Sequence, residues 1–345
     1  MMRVSVVIPT FQRPNRLVRC LRGISNQHQL PDEVIVVCRS TDFPSIRTVN
    51  DWRTDSVVCS RLLLVDKPGQ IAALKTGLAA VTGEVVVFTD DDTVPASDWI
   101  ERLLTYYDDP TIGGVGGRDV INGVHRQPIA RRVGVLTWFG KLIGNHHLGC
   151  ESVQEVDVLK GANASFRTQL VSFPNFFQGD GAEVHNEVYV CLRIRRMGYK
   201  LVYDPDIQVD HFPAPRFDVD QRDMVVPLAI RNATFNFIVT CFMFLPRSSL
   251  VSVLMYNILI GHKGGPGFLR FVLGLARKET DIISSYVPCQ LGMWQAIHHY
   301  VRSRARDKWD SQRHKGDDSA RLGPNLEDSK QLPEEVLAKI KHLNL

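Results

Sequence analysis

Apolar positions in the N-terminal part of the chain fall into short unbroken runs separated by stretches with helical spacing. Val4 to Pro9 is one such run and reads as a buried strand, broken by Pro9-Thr10 and the polar turn Phe11-Gln12-Arg13-Pro14. After Pro14, the recurrence of Leu17, Leu21 and Ile24 predicts a helix. Further apolar runs at Val34 to Cys38 and Leu62 to Val65 predict two more strands. Pro68-Gly69 then punctuates, and Ile71 to Ala80 predicts a helix that Gly83 ends. Val85 to Thr89 is the fourth strand. Strands alternating with helices predict a parallel sheet, whose ligands bind beyond the carboxyl ends of the strands. Thr10, Cys38-Arg39 and Asp90-Asp91-Asp92 all lie at such ends.

The pattern changes after Pro215. Phe235 to Leu245 is apolar but for Asn236 and Thr240, Pro246-Arg247 interrupts it, and Leu250 to Ile260 resumes it. Each half is shorter than the ~20 apolar residues a spanning helix needs, so neither is expected to cross a bilayer alone. Phe268 to Ala276 adds a third apolar stretch, with Arg270, Arg277 and Lys278 beside it and Arg302, Arg304 and Arg306 further on. This mixture predicts helices lying in a membrane interface, the alternative being a helical subdomain packed on the core. Residues 310–333 are polar and poor in aromatics, and Glu334 to Leu343 predicts a short terminal helix.

Composition narrows the field. A chain of 345 residues with 44% hydrophobic content can bury a sizeable core. The net charge of +4, without any base-reading motif, argues against nucleic acid as a main partner. Seven cysteines, widely spaced and without a Cys-x-x-Cys pair, read as reduced thiols of a cytosolic protein. With Met1-Met2-Arg3 running into the first strand, no signal peptide is expected.

The candidate chemistry starts at the end of the fourth strand. Three consecutive carboxylates after a buried run cannot stay unpaired in a dry interior, so they must meet solvent or a cation. On an extended chain Asp90 and Asp92 point the same way. Hard oxygen ligands of this kind suit Mg²⁺ or Mn²⁺ carried on a diphosphate. A solvated acidic loop is the plainer alternative.

Taken in order, several pieces between Arg3 and His211 carry a resemblance. They are Val6-Val7-Ile8-Pro9-Thr10 with Arg13, the Gly69-to-Gly77 stretch, and Val85 to Asp92 with Pro95 and Trp99. Gly161-Ala162-Asn163-Ala164-Ser165-Phe166-Arg167 follows, then Asn186-Glu187 before Leu192 to Lys200, and finally Asp210-His211. With these pieces the chain resembles the family-two inverting glycosyltransferases. That resemblance implies the GT-A fold, a Rossmann-like mixed α/β sheet flanked by helices that binds a nucleotide-diphospho-sugar. It implies that Pro9, Thr10, Arg13, Arg39, Lys75, Asp90 and Asp91 bind the donor, with Asp90 near the ribose. It implies Asp92 and His211 as metal ligands for Mg²⁺ or Mn²⁺, and Glu187 as catalytic base. Lys75 also reads as a solvated helix residue, and Glu187 as an acid suited to the first turn of a helix. Glu183 and Asp180 are second candidates for the base.

Two departures matter. Where the family usually ends its second strand with Asp-Gly-Ser or Asp-Asn-Ser, its acid touching the nucleobase, this chain has Cys38-Arg39-Ser40-Thr41-Asp42, which leaves the nucleobase open. Asn186 replaces the first member of the usual acidic pair. Trp138 and His146-His147 fall where acceptor loops are expected, and Asn163 and Arg167 are candidates for the floor of the donor pocket. Adjacent histidines point apart on a regular element, so His146 and His147 are not expected to share a metal.

The resulting expectation is an inverting, metal-dependent transferase using a nucleoside-diphosphate sugar and a glycan or lipid-linked acceptor, at the cytoplasmic face of the plasma membrane. Residues 1–215 form its catalytic domain, 216–309 a membrane-associated helical region, and 310–345 a polar tail. A haloacid-dehalogenase-like phosphohydrolase, which also ends a strand in Asp-x-Asp, and a non-catalytic glycan- or nucleotide-binding relative are the alternatives.

Overall fold

The computed structural model describes residues 2–179, 184–218, 224–262 and 264–317. The chain begins β1 (Val4–Thr10), α1 (Pro14–Ser25), β2 (Glu33–Arg39), α2 (Phe43–Asp55), β3 (Ser60–Val65), α3 (Gln70–Ala80) and β4 (Val85–Thr89). Of these, α2 is the element that the apolar pattern did not predict. It buries only Ser45 and Val49, so its stripe is faint, and its clearest signal is local: Asp42 accepts the Ser45 N–H at 3.3 Å as an N-cap. Next come β5 (Thr93–Pro95), α4 (Trp99–Thr105), β6 (Ile112–Ile121) and the short β7 (Val135–Leu136), β8 (Leu142–Ile143) and β9 (Gln154–Glu155). Then follow β10 (Asn163–Arg167), α5 (Asn186–Arg196) and β11 (Lys200–His211).

One mixed sheet runs β3-β2-β1-β4-β10-β6-β11-β5, with β9 beside β11. The parallel arrangement expected from the sequence holds across β3, β2, β1 and β4, and stops at β10, which pairs antiparallel with β4 and β6. Alternate residues of the central strands feed opposite faces. Val6, Ile8, Val34, Val36, Val85 and Val87 pack with Leu17 and Leu21 of α1 and Trp99 of α4. Val7, Ile35, Val37, Val86 and Phe88 pack on the other side with Leu74 of α3 and Ile194 of α5. Each such buried side chain contributes about 1.5–3 kcal/mol, so both halves of the alternation are fixed by burial. Gly117 of β6 marks a close approach: a Cβ there would sit 1.8 Å from the Ile207 carbonyl oxygen. That contact falls where the β6–β11 register shifts between Asp204 and Gln208.

The C-terminal part comprises α6 (Pro227–Phe244), α7 (Arg247–Leu259), the small ribbon β12 (Gly261–His262) and β13 (Gly265–Pro266), α8 (Phe268–Arg277) and α9 (Thr280–Asp317). Here the structure corrects the expected interfacial placement of Phe235 to Leu245. Phe235 to Phe242 are buried and belong to the same core cluster as Val7 and Val86, joined by Met293 and Ala296 of α9. Protein therefore supplies the apolar surroundings that the segment demands. Its polar interruption is satisfied locally, since Asn236 Oδ1 accepts the Gln178 N–H and Asn236 Nδ2 donates to the Gln178 carbonyl, both at 3.0 Å. Pro227–Phe244 is also, among the described residues, the helix long and apolar enough to span a membrane, with mean hydropathy 1.2, yet half of that window is buried inside the protein. The core thus crosses the expected 215/216 division.

The apolar surface left exposed lies on α7 and α8 instead: Val251 is 68% exposed, and Leu269 and Leu273 are each 53% exposed. Residues 310–317, expected to be irregular, continue α9 as helix. The predicted terminal helix at Glu334 to Leu343 lies outside the described residues.

Candidate active site

The end of β4 delivers three carboxylates with three different surroundings. Asp91, 1% exposed, turns into the protein, where it accepts from Thr10 Oγ1 at 2.7 Å and from Arg13 Nη1 at 2.9 Å. Burial pushes its carboxyl up to about 6, against the pull of Arg13 and the Thr10 hydroxyl. Arg13 in turn donates to the Pro215 carbonyl at 3.0 Å, tying the β1 exit to the segment after β11.

Asp92 shares a side with Asp90, brought there by the turn that Thr93 N–H closes onto the Asp90 carbonyl at 3.2 Å. Ala214 N–H donates to Asp92 Oδ2 at 2.9 Å, and His211 Nε2 lies 3.3 Å from Asp92 Oδ1. Burial opposes ionisation of Asp92, but the adjoining His211 ring and the Ala214 N–H outweigh it and hold the carboxyl low. The contact between Asp92 and β11 is built by the pairing of β11 with β5, the strand that follows Asp92. His211 sits opposite Thr93 in β5, and the Phe212 N–H donates to the Asp92 carbonyl at 2.8 Å.

Behind His211 stands a residue the sequence reading missed. Asp119 of β6 is fully buried, its Oδ2 lies 3.4 Å from His211 Nδ1, and it pairs with Lys160. Burial works against a charged His211 ring, but Asp119 and Asp92 on its two nitrogens raise it to about 9. A charged pair, Arg118-Asp119, inside an otherwise apolar strand was the available signal.

Asp90, Asp92 and His211 each offer one ligand atom, all within 4.8 Å of one another. Asp92 Oδ1, His211 Nε2 and Asp119 Oδ1 are buried without a hydrogen-bond partner. Two carboxylates and an imidazole with orphaned, converging atoms fit a divalent cation such as Mg²⁺ or Mn²⁺.

These groups open into a cavity of about 420 Å³ that Pro9, Thr10, Arg13, Arg39 and Asp90 to Asp92 also line. Glu187, on the first turn of α5, lines the same cavity, and burial above all, with Asp90 adding repulsion, raises its carboxyl above the usual range. Arg39 lies 4.5 Å over the Phe11 ring and pairs with Asp218 at 3.3 Å, forming one wall. Asp42 takes no part: it is buried and accepts the Gln12 N–H at 2.5 Å as well as capping α2. Gln70 and Lys160 line the cavity too and were not singled out from the sequence.

Some expected residues stand elsewhere. Lys75 is not among the lining residues, and its ammonium reaches the Pro174 carbonyl at 3.1 Å. Asn163 is buried in the sheet, accepting from the Trp99 indole at 2.8 Å. Arg167 donates at 2.9 Å to the Ile112 and Tyr107 carbonyls, so neither floors the cavity, whereas Gly161 and Ala162 do line it. His146 is held by the Val158 carbonyl at 2.9 Å, and burial lowers it to about 4. His147 is exposed, as alternation predicts for neighbours. Asp180 and Glu183 lie outside the described residues.

Comparison with known proteins adds to this geometry. Residues 5–148 match the sequence model of Glycosyl transferase family 2. The chain is 29% identical over 223 residues to the glucosyl-dolichyl phosphate glucuronosyltransferase of Haloferax volcanii, covering 61% of this chain and 69% of that protein. Several other curated glycosyltransferases are matched over less than two thirds of their own length. In structure, the chain is similar to residues 1–349 of S. aureus TarS in complex with UDP-GlcNAc, with TM-score 0.54, 15% identity, and coverage of 91% and 92%. It is also similar to the mannosyltransferase PcManGT of Pyrobaculum calidifontis in complex with GDP-Man and Mn²⁺, with TM-score 0.50, 19% identity, and coverage of 90% and 88%. These structural likenesses show the GT-A type fold, and residues 5–148 within it match the Glycosyl transferase family 2 model.

Proposed function

We propose that the chain is a metal-dependent, inverting glycosyltransferase that moves a sugar from a nucleoside diphosphate onto an acceptor hydroxyl in glycan or glycolipid synthesis. The observation that carries this reading is the convergence of Asp90, Asp92 and His211 on one cavity that Glu187 also lines.

Glu187 takes the proton from the acceptor hydroxyl. The acceptor oxygen then forms its bond to the anomeric carbon as the bond to the diphosphate oxygen breaks on the opposite face. The electron pair leaves with the nucleoside diphosphate, and the configuration inverts. A carboxylate whose proton affinity is raised by burial suits this task, and a positioned base contributes on the order of 10²–10⁴-fold. Arg13 and Thr10 hold Asp91 at the strand exit, so Asp91 acts as a support for the donor cavity. Asp90, Asp92 and His211 would hold the cation. A bound Mg²⁺ or Mn²⁺ supplies Lewis-acid compensation of the charge on the departing diphosphate.

The acceptor is a glycan or a lipid-linked saccharide, a class to which the name of the H. volcanii relative also points. The exposed apolar residues of α7 and α8, with Arg277 and Lys278 at the end of α8, support a peripheral position on the cytoplasmic face of the plasma membrane. Residues 1–215 carry the reaction, and the helices that follow complete its core and provide the membrane-facing surface. A phosphohydrolase would carry its nucleophilic acid after the first strand, where this chain has Pro9-Thr10.

The test is a donor screen with several nucleotide sugars and Mn²⁺, read as nucleoside diphosphate release in the presence of lipid-linked saccharides. Release from none of the donors, or release undiminished in excess chelator, contradicts the reading.

A further inference from the structure

A second cleft, of about 990 Å³, is lined by His185, a neighbour in sequence of Val184, Asn186 and Glu187 that line the first. It is formed by the turn between β7 and β8 on one side and by α7 on the other, and its walls include Phe139, Leu142, Phe237, Met255, Tyr256 and Leu259. Small-molecule sites typically enclose roughly 300–1,000 Å³, so this space suits a substantial ligand. The mouth is apolar as well: Met255 and Leu259 are 50% and 38% exposed, and Val251 beside them is 68% exposed. A long hydrocarbon chain can therefore enter from the surface that α7 presents.

Two features set this cleft apart from a plain apolar groove. Arg270, from α8, lines it, and Arg270 Nε is buried without a hydrogen-bond partner. Arg270 is half-buried, but its Nε is buried and unmatched; such a donor calls for an acceptor, and phosphate offers it a charge-assisted bond. The second feature is the wall between the two cavities. Val184, Asn186 and Glu187 line the first, whereas His185 lines the second and packs 4.9 Å from the Phe237 ring. His185 has a positive φ of 76°, a left-handed conformation at the N-cap of α5. For a non-glycine residue that conformation is uncommon, and here it accompanies the turn of His185 to the far side of the wall. Burial, with His262 nearby, pushes the His185 ring down to about 3, so it stands there neutral and compatible with an apolar neighbour.

Resting on the glycosyltransferase reading above, we propose that this cleft binds the hydrocarbon chain and phosphate of the acceptor, a saccharide carried on a single-chain lipid phosphate. Arg270 takes the phosphate, the apolar walls take the chain, and the saccharide hydroxyl reaches past His185 to Glu187. The acceptor class is thus set by a site separate from the donor cavity.

The experiment uses the full-length protein and farnesyl phosphate as probe, with farnesol and inorganic phosphate as partial probes, in detergent-free buffer. Binding is followed by calorimetry or by the fluorescence of Trp138 at the rim. Farnesyl phosphate is expected to bind, farnesol more weakly, and inorganic phosphate not measurably. Arg270→Gln should weaken farnesyl phosphate roughly 10- to 100-fold, the range of a lost charge-assisted bond, and leave farnesol unchanged. Ser252→Trp, which fills the cleft, should abolish both. Met255→Glu provides an independent block should the tryptophan variant fail to fold, and nucleoside diphosphate binding with Mn²⁺ reports an intact first cavity in each variant. Farnesyl phosphate bound equally by all variants overturns the proposal. So does an Arg270→Gln protein that loses binding to anionic vesicles but keeps farnesyl phosphate, because Arg270 would then be a bilayer anchor. Farnesyl phosphate binding as expected, with no nucleotide sugar consumed, would support the lipid site while contradicting the transferase reading.

Discussion

Asp119→Asn is the substitution that best tests how the metal centre is supported. The amide keeps the volume of a fully buried side chain and removes its charge. In the native protein, burial opposes ionisation of Asp119, but His211 and Lys160 more than offset it and hold the carboxyl below the usual range. Two ionic contacts weaken in the variant: that from His211 Nδ1 at 3.4 Å and that from Lys160. Charge-assisted bonds are worth about 1.5–3 kcal/mol each. The Lys160 contact counts for less, since that side chain is 34% exposed and can turn to water. The expected loss of fold stability is therefore about 2–3 kcal/mol. The effect on the cation is separate. With Asp119 replaced by a neutral amide, the Nδ1 proton is held by a weaker acceptor that can also turn its NH₂ toward the ring, so Nε2 is less firmly set as a ligand beside Asp92. Partners behind a ligating histidine typically carry roughly 10- to 100-fold in metal affinity. Mn²⁺ titration followed by electron paramagnetic resonance, paired with urea unfolding, measures both quantities. Mn²⁺ affinity within about twofold of wild type in a folded Asp119→Asn protein refutes this account of the site.

Asp92→Ala should abolish transfer and Mn²⁺ binding together, and Asp92→Asn should fail as well; wild-type turnover by either variant removes Asp92 from the metal centre. Glu187→Gln should keep donor affinity within a few fold, measured by calorimetry, and lose transfer by about 10²-fold or more. Because Glu187 works deprotonated and its proton affinity is raised, transfer should fall as the pH drops through a pKa above the ordinary carboxylate range. An acid limb at the usual carboxylate position contradicts that assignment. Leu269→Glu with Leu273→Glu, on exposed positions of α8, should shift the protein from anionic liposomes to the supernatant without changing its unfolding midpoint; unchanged sedimentation removes α8 from the membrane surface. Truncation after Pro215 strips Phe235 to Phe242 from the shared core, so the fragment should be insoluble or unfolded by circular dichroism, and a cooperative, soluble fragment would contradict the shared core.

Much of the fold was legible because its driving forces are local. The strands β1, β2 and β4 are buried on both faces, so they appear as unbroken apolar runs, and the edge strand β3, with Leu64 53% exposed, shows a shorter one. The strand period predicted that Asp90 and Asp92 share a side, and they do, although a turn after β4 rather than the strand itself brings them there. By contrast, Asp119 and Lys160 belong to the site through pairing of β6 with β11 and β10, a long-range fact of which the only local trace is the charged pair Arg118-Asp119 inside an apolar strand. Lys75 illustrates the converse: its position on α3 is right for the cavity, but its flexible side chain turns to Pro174. The misplacement of α6 has the same origin. An all-round apolar helix demands apolar neighbours, and sequence alone does not distinguish lipid from α9.

The pairing of β5 with β11 has a consequence for how this protein can diversify. His211 stands opposite Thr93, one residue beyond Asp92, and a slip of one position along that pair would turn its ring to the other face of the sheet. The turn between β7 and β8, around residues 137–141, takes no part in that register, since β7 and β8 pair only with each other. Residues can therefore be gained or lost there while the ligand triad stays in place. Because the same turn forms one bank of the second cleft, changes of length there remould that cleft and leave the first cavity as it is.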